Sequence, residues 1–173
     1  MLSKSRLQVV GFSLAVAALV LYFFARDDET ARVRAPVESI KTALSYDSSR
    51  QSPGERSARL ERAIETSVEP DVLVSIPEKP GVLSGRAAIV EFATGVGDLR
   101  RLDLGVSDVV VSFDGSKQTA QLTARITVDA WRSDYESHEV RNASIRLVRR
   151  ENSWSISSVT VAPRTHEEPE ARP

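Results

Sequence analysis

The chain has 173 residues, 24 acidic against 23 basic, a formal net charge of −1 and no cysteine. That length fits one domain with a short extension. The missing cysteine excludes disulfides, thiolate chemistry, cysteine metal sites and lipoprotein acylation, and the near-neutral balance argues against a nucleic-acid surface, which is basic.

Residues 7–25, LQVVGFSLAVAALVLYFFA, carry no charge. At about 1.5 Å of rise per helical residue, the run matches the hydrocarbon core of a bilayer, about 30 Å thick. Lys4 and Arg6 precede it, and Arg26, Asp27, Asp28 and Glu29 follow. A cleaved export signal has an apolar region of about 7–15 residues and a small-x-small site, whereas Phe23 occupies the position that needs a small side chain. Leu14 to Phe24 is apolar all round, unlike a helix with one side in water. The run therefore predicts an uncleaved single-pass anchor. The Lys and Arg counts on its two sides are nearly tied, but the short cationic flank resembles an export signal. This places residues 1–6 in the cytoplasm and the domain outside the inner (plasma) membrane, periplasmic or extracellular.

Residues 26–36 show no apolar period and predict a linker. Pro36 suits a first helical turn, and Val37, Ile40 and Leu44 follow at helical spacing. Ser52-Pro53-Gly54-Glu55 has the form of a capping box opening a second helix, with Leu60, Ala63, Ile64 and Val68 on one face, ending before Pro70. Asp71 to Ile76 is a short apolar strand closed by Pro77. Ser84 or Gly85 then caps a third helix, with Ala88, Ile89, Phe92 and Val96 as its buried stripe, and Gly95 and Gly97 end it.

From Leu99 the period becomes two. Leu102, Leu104 and Val106 alternate, and Val109 to Phe113 runs into an Asp114-Gly115 turn. Leu122, Ala124, Ile126, Val128 and Ala130 share one face of the next strand, and Thr123, Arg125, Thr127 and Asp129 the other. Beyond a polar turn over 133–137, a strand carries Ala143, Ile145 and Leu147 inward, and Glu151-Asn152 leads into a last strand over 154–161. Helices first and an antiparallel meander last predict an α+β domain over 37–162, with about three helices packed on one face of a curved sheet. The polar, proline-containing stretch 163–173 predicts a disordered tail.

This order, with DVLVSIP (71–77), SGRAAIVEF (84–92) and NSWSISSVTV (152–161), resembles the nuclear transport factor 2-like superfamily, also called SnoaL-like or cystatin-like cone domains. The resemblance implies a cone-shaped fold, which hosts isomerases, dehydratases, cyclases, binding modules and assembly subunits. In its ketosteroid isomerases, a carboxylate on the strand before the third helix acts as base. Matched on the terminal proline of DVLVSIP, that position is Ile76, which carries no proton. No catalytic residue is implied here, and Asp71 fits a cap or a solvent-facing position.

The two histidines, His138 and His166, have no converging partners, so neither a metal nor a cofactor is expected. No serine stands in a nucleophile constellation. Tyr46, Ile76 and Phe92 are the candidates for a pocket in the cone, although a tyrosine at a helix end is more often a packing residue. Thr123, Arg125, Thr127, Asp129 and Trp131, joined by Asn142, Ser144 and Arg146 from the next strand, form a polar face with one aromatic residue. That composition suits a partner surface, for a homodimer or another membrane protein, or an ordinary solvated sheet face. The function expected is a membrane-anchored, non-catalytic binding or assembly module. In topology it resembles the single-pass periplasmic subunit of type IV secretion systems. The alternative is a small-molecule binder or SnoaL-like enzyme using the apolar interior of the cone.

Overall fold

In the computed structural model, which describes residues 29–95, 99–133 and 135–163, helix α1 covers 29–44. It leads into strand β1 (Tyr46–Asp47), helix α2 (Pro53–Ser67), β2 (Val68–Ser75), β3 (Val82–Ser84) and helix α3 (Arg86–Thr94). Four long strands follow: β4 (Arg101–Phe113), β5 (Thr119–Trp131), β6 (Glu136–Arg150) and β7 (Ser153–Val161). One seven-stranded sheet has the order β1-β4-β5-β6-β7-β2-β3. Its pairs are antiparallel except β2 with β7, which are parallel and joined through β3, α3 and the β4–β6 meander. The three helices lie on the inner face of this curved sheet, giving the α+β cone.

The apolar run 7–25, its flank 1–6 and residues 164–173 lie outside the described residues. Among the described residues, no helix is long and apolar enough to cross a membrane.

The stretch expected as a linker is helical over 29–35. Val33 is fully buried and extends the Val37, Ile40, Leu44 stripe back by one turn. Pro36 suggested a helix start, yet α1 runs through it. Upstream of Pro36 only one side chain per turn reaches the core, too sparse a signal for a period. Glu29 adds a polar tie, accepting from Trp154 Nε1 at 2.8 Å with Arg149 Nη1 3.4 Å away.

Local chemistry fixes the other helix ends. Ser52 Oγ accepts from Glu55 N at 3.3 Å while Glu55 Oε2 accepts from Ser52 N at 2.8 Å, so the capping box forms. Two arginines of α2 then cap its neighbours. Arg59 Nη2 donates to Ala43 O at 3.2 Å and Ser45 O at 2.5 Å at the end of α1. Arg56 Nη2 donates to Ala93 O at 3.0 Å at the end of α3.

The stripe of α3 differs from expectation. Ala93 is buried and Ile89 and Val90 pack on the core, whereas Phe92 is 39% exposed with Lys79 Nζ 5.1 Å from its ring centre. The Arg56 bond to Ala93 O and the Arg86 bond to Val68 O hold both ends of this nine-residue helix and set its rotation. Val96 lies outside the described residues.

In β4 the register shifts between Ser107 and Val110, with Asp108 at φ 52°. This bulge adds a residue, so Val106 before it and Val109, Val111 and Phe113 after it all pack toward the core, while Val110 points out. Phe113 meets Trp154 at 5.9 Å between ring centres. Leu60, Ile64, Val72, Leu122 and Leu147 complete the buried centre.

Glu29→Ala removes the acceptor of a nearly buried indole and is expected to cost about 1–2 kcal/mol in urea denaturation of fragment 29–163. A fragment starting at residue 36 loses Val33 as well and is expected to be less stable still.

Three carboxyls sit below the ordinary carboxylate range: Glu55 through the backbone N–H and hydroxyl of Ser52, Asp47 chiefly through the Ser49 hydroxyl, and Asp114 chiefly through the Ser116 hydroxyl. Groups whose values are lowered on folding add stability above the ordinary range and lose it as the pH falls through the lowered values. The denaturation midpoint is therefore expected to hold from neutrality to about pH 5 and to fall below about pH 4. Ser52→Ala is expected to cost about 1 kcal/mol at neutral pH and to remove part of that acid-dependent loss.

Candidate functional site

Alternation along the paired strands separates the sheet into an inner and an outer face. On the outer face, Thr123 pairs with Ser144 and Arg125 with Asn142, and Ser144 in turn pairs with Thr160. On the other side of β5, Thr123 stands opposite Val110 and Arg125 opposite Ser107, the two ends of the β4 bulge. The bulge residue Asp108 brings its carboxylate to 3.4 Å from Arg125 Nε. A groove of 390 Å³ results, lined by Asp108, Thr123, Arg125, Asn142, Ser144 and Thr160 over a floor that includes Ala124 and Ala143. Its polar rim offers two hydroxyls of threonine, one of serine, an amide and an ion pair.

Thr123 and Arg125, proposed from sequence for a partner surface, are thus together in this groove with Asn142 and Ser144. Arg146 lies one step beyond, exposed, opposite Gln121. Thr127, Asp129 and Trp131 continue along the same face outside the groove. Asp129 Oδ1 is 2.5 Å from His138 Nδ1, and Asp103 stands opposite Asp129 across β4. Arg101 binds Asp103 at 2.5 Å, and its Cζ lies 4.8 Å from the centre of the Trp131 ring. The bond to Asp103 holds the Arg101 guanidinium above its usual range. Trp131 is half-buried under that cation, so its aromatic face is already occupied.

The three pocket candidates have separate surroundings. Tyr46 is buried, with the Arg56 guanidinium 4.7 Å from its ring centre, and serves packing between β1 and α2. Ile76 is half-buried just after β2, which stands near the opposite edge of the sheet order from β1. Phe92 faces outward.

Besides Arg56, two further buried charges were not anticipated. Arg141 is 8% exposed and shares the inward phase of Ala143, Ile145 and Leu147. Its Nε and Nη2 donate to Glu139 Oε2 at 3.1 and 2.7 Å, and Nη1 forms an ion pair with Glu78 Oε1 at 2.6 Å. Burial works to lower the value of this guanidinium, but the two carboxylates outweigh it and the net direction is up. Extending the period of two back from Ala143 would have found it. Glu69, also buried, accepts from Arg150 Nε and Nη2 at 3.2 and 3.0 Å; only long-range pairing identifies that bridge. Among the described residues, no three His, Cys, Asp or Glu side chains stand together as a metal site. His138 is on the outer face, and His166 lies outside the described residues.

No protein-family model matches this sequence, and no curated protein sequence matches it either. Solved structures do. A nuclear transport factor 2-like superfamily protein from Salmonella enterica serovar Typhimurium superposes with a TM-score of 0.63 at 13% identity, over 86% of this chain and 99% of that one. A protein with a cystatin-like fold from Novosphingobium aromaticivorans gives 0.59 at 15% identity, over 92% of each chain. A protein from Streptomyces avermitilis, proposed to be a dehydratase of the same family, gives 0.62 at 17% identity, over 81% of this chain and 99% of that one. At these identities the likeness concerns the fold alone: the chain has the nuclear transport factor 2-like, cystatin-like fold.

Proposed function

We propose that this chain is a single-pass, membrane-anchored binding module, held by residues 7–25 with its cone domain on the outer side of the plasma membrane. It works without catalysis, through the outer face of its sheet. The observation that carries this reading is the position of the groove: it opens on the outer face, at Thr123, Arg125, Asn142 and Ser144, and not inside the cone. Ile76 at the position of the isomerase base supports a non-catalytic role. A polar rim over a small-residue floor suits a protein partner of moderate affinity, and a second copy of this chain is the first candidate. Confinement to one membrane raises the effective concentration of identical domains.

Sedimentation of fragment 29–163 is expected to show a weak, concentration-dependent dimer. Arg125→Glu, which sets two acids side by side with Asp108, is expected to weaken it by about tenfold. A fragment that stays monomeric at high concentration, unchanged by Arg125→Glu, overturns self-association and leaves a different membrane protein as partner. For the location, alkaline phosphatase fused after Pro173 is expected to be active in a bacterial host. An inactive phosphatase with a fluorescent green-protein fusion at the same point reverses the orientation.

A second reading, a small-molecule pocket or SnoaL-like enzyme, is favoured by the inward Arg141 guanidinium, whose partner Glu78 follows Ile76 by two residues. The fold is shared with the Streptomyces avermitilis protein proposed as a dehydratase. Arg141→Met separates the two. It leaves the dimer intact in the first reading and abolishes ligand-induced stabilisation in the second.

A further inference from the structure

Helix α1 enters the fold at one end of the long strands. Glu29 Oε1 accepts from Trp154 Nε1 at 2.8 Å and lies 3.4 Å from Arg149 Nη1, and Val33, one turn on, is fully buried. Arg34 Nη2 then donates to Val109 O at 3.3 Å, Ser45 Oγ accepts from Leu104 N at 3.4 Å, and Tyr46 pairs with Leu102. Contacts that descend along β4 as α1 ascends mean that the two run in opposite directions. α1 therefore starts at the end of the sheet that carries the β4–β5 and β6–β7 turns, and it finishes toward the β5–β6 turn. Those first two turns lie side by side, since Arg149 N donates to Gln118 O at 2.8 Å.

The uncharged run closes at Ala25, and only residues 26–28 precede Glu29. Four Cα steps span at most about 14 Å, however those residues run. The domain thus has no free tether, because the helical stretch that follows is packed onto the sheet from its first described residue. The turn tips at Gly115 and Asn152 stand about two residues, or about 7 Å, beyond the Glu29 contacts. Exposed there are Asp114, Ser116, Lys117, Glu151 and Asn152, with the Arg150 guanidinium at the margin.

Resting on the anchored reading of residues 7–25, we infer that these two turns seat on the phospholipid headgroups and the β5–β6 turn points away from the bilayer. The surface is polar and charge-balanced, with Lys117 and Arg150 against Asp114 and Glu151 and with Arg150 paired to Glu69, and its hydrogen-bonding groups suit a zwitterionic headgroup layer about 5–8 Å deep. The outer-face groove then stands to the side, clear of the lipid, at the same height in every copy.

The absence of native cysteine allows single labels in the full chain. Gly115→Cys is suitable because an added Cβ meets nothing within 4 Å. Asn152→Cys and Tyr135→Cys are exposed turn positions, the latter about 40 Å away along the 13-residue β5. Each full-length variant, fluorophore-labelled, is placed in phosphatidylcholine vesicles that contain phosphatidylglycerol and a headgroup-attached quencher, and flotation is measured on the same samples. Co-flotation with quenching at 115 and 152, and its loss at 135, is the expected result. Co-flotation with equal quenching at all three sites, or with the strongest at 135, overturns the orientation and leaves the anchor standing. Failure to float overturns the anchored reading and this inference with it.

Discussion

One register shift in β4 governs both faces of the sheet. With Asp108 at φ 52°, the strand gains a residue between Ser107 and Val110, and the apolar phase changes from even to odd positions. Without it, Val109, Val111 and Phe113 would face solvent, and Trp154 would lose its aromatic neighbour at 5.9 Å. The α1 stripe that begins at Val33 would then have no wall to cover. The residue that makes the shift also ends outside, with its carboxylate beside Arg125 on the rim of the groove. Core and candidate site therefore share a single backbone irregularity, as bulges beside functional surfaces often do.

Polar groups inside the helix layer are arranged by the same economy. Carbonyls at the ends of α1 and α3 cannot be satisfied within their own helices. Arg59 and Arg56, three residues apart on α2, reach one end each. Arg56 also lies over Tyr46, which explains why that tyrosine belongs to the packing and not to a pocket mouth. The guanidinium of Arg86 meets Val68 O where α2 passes into β2. A chain without disulfides thus ties α2 to the ends of α1 and α3, and α3 to the start of β2, with arginine–carbonyl bonds.

The outer face of the cone carries the candidate site. Near the β5–β6 turn its side chains already pair among themselves, Asp129 with His138 and Arg101 with Asp103 and Trp131. Around Thr123 and Asn142 a recess remains, at whose rim Ser144 accepts from Gln121 and Arg125 pairs with Asp108. Glu29 and Val33 dock the start of α1 against the sheet. Under the anchored arrangement proposed above, that docking would hold the outer face at one height for partners that diffuse in the same plane.

Local pattern alone specifies the α2 cap and the faces of the long strand β5. Ser52 and Glu55 form their box because a cap depends on residues three apart. Leu122 and Ala124 turn inward, and Thr123 and Arg125 outward, because alternation is a property of each strand alone. Tertiary structure decided whatever depends on distant partners. Residues 29–35 are helical and docked because Glu29 meets Trp154, 125 positions away. Phe92 faces out because Arg56 and Arg86 hold the ends of α3. Arg141 lies inside because Glu139 and Glu78 converge on it, and Trp131 is covered because the strand pairing sets Arg101 opposite. Periodicity records the side on which a residue stands; only the folded chain supplies what it stands against.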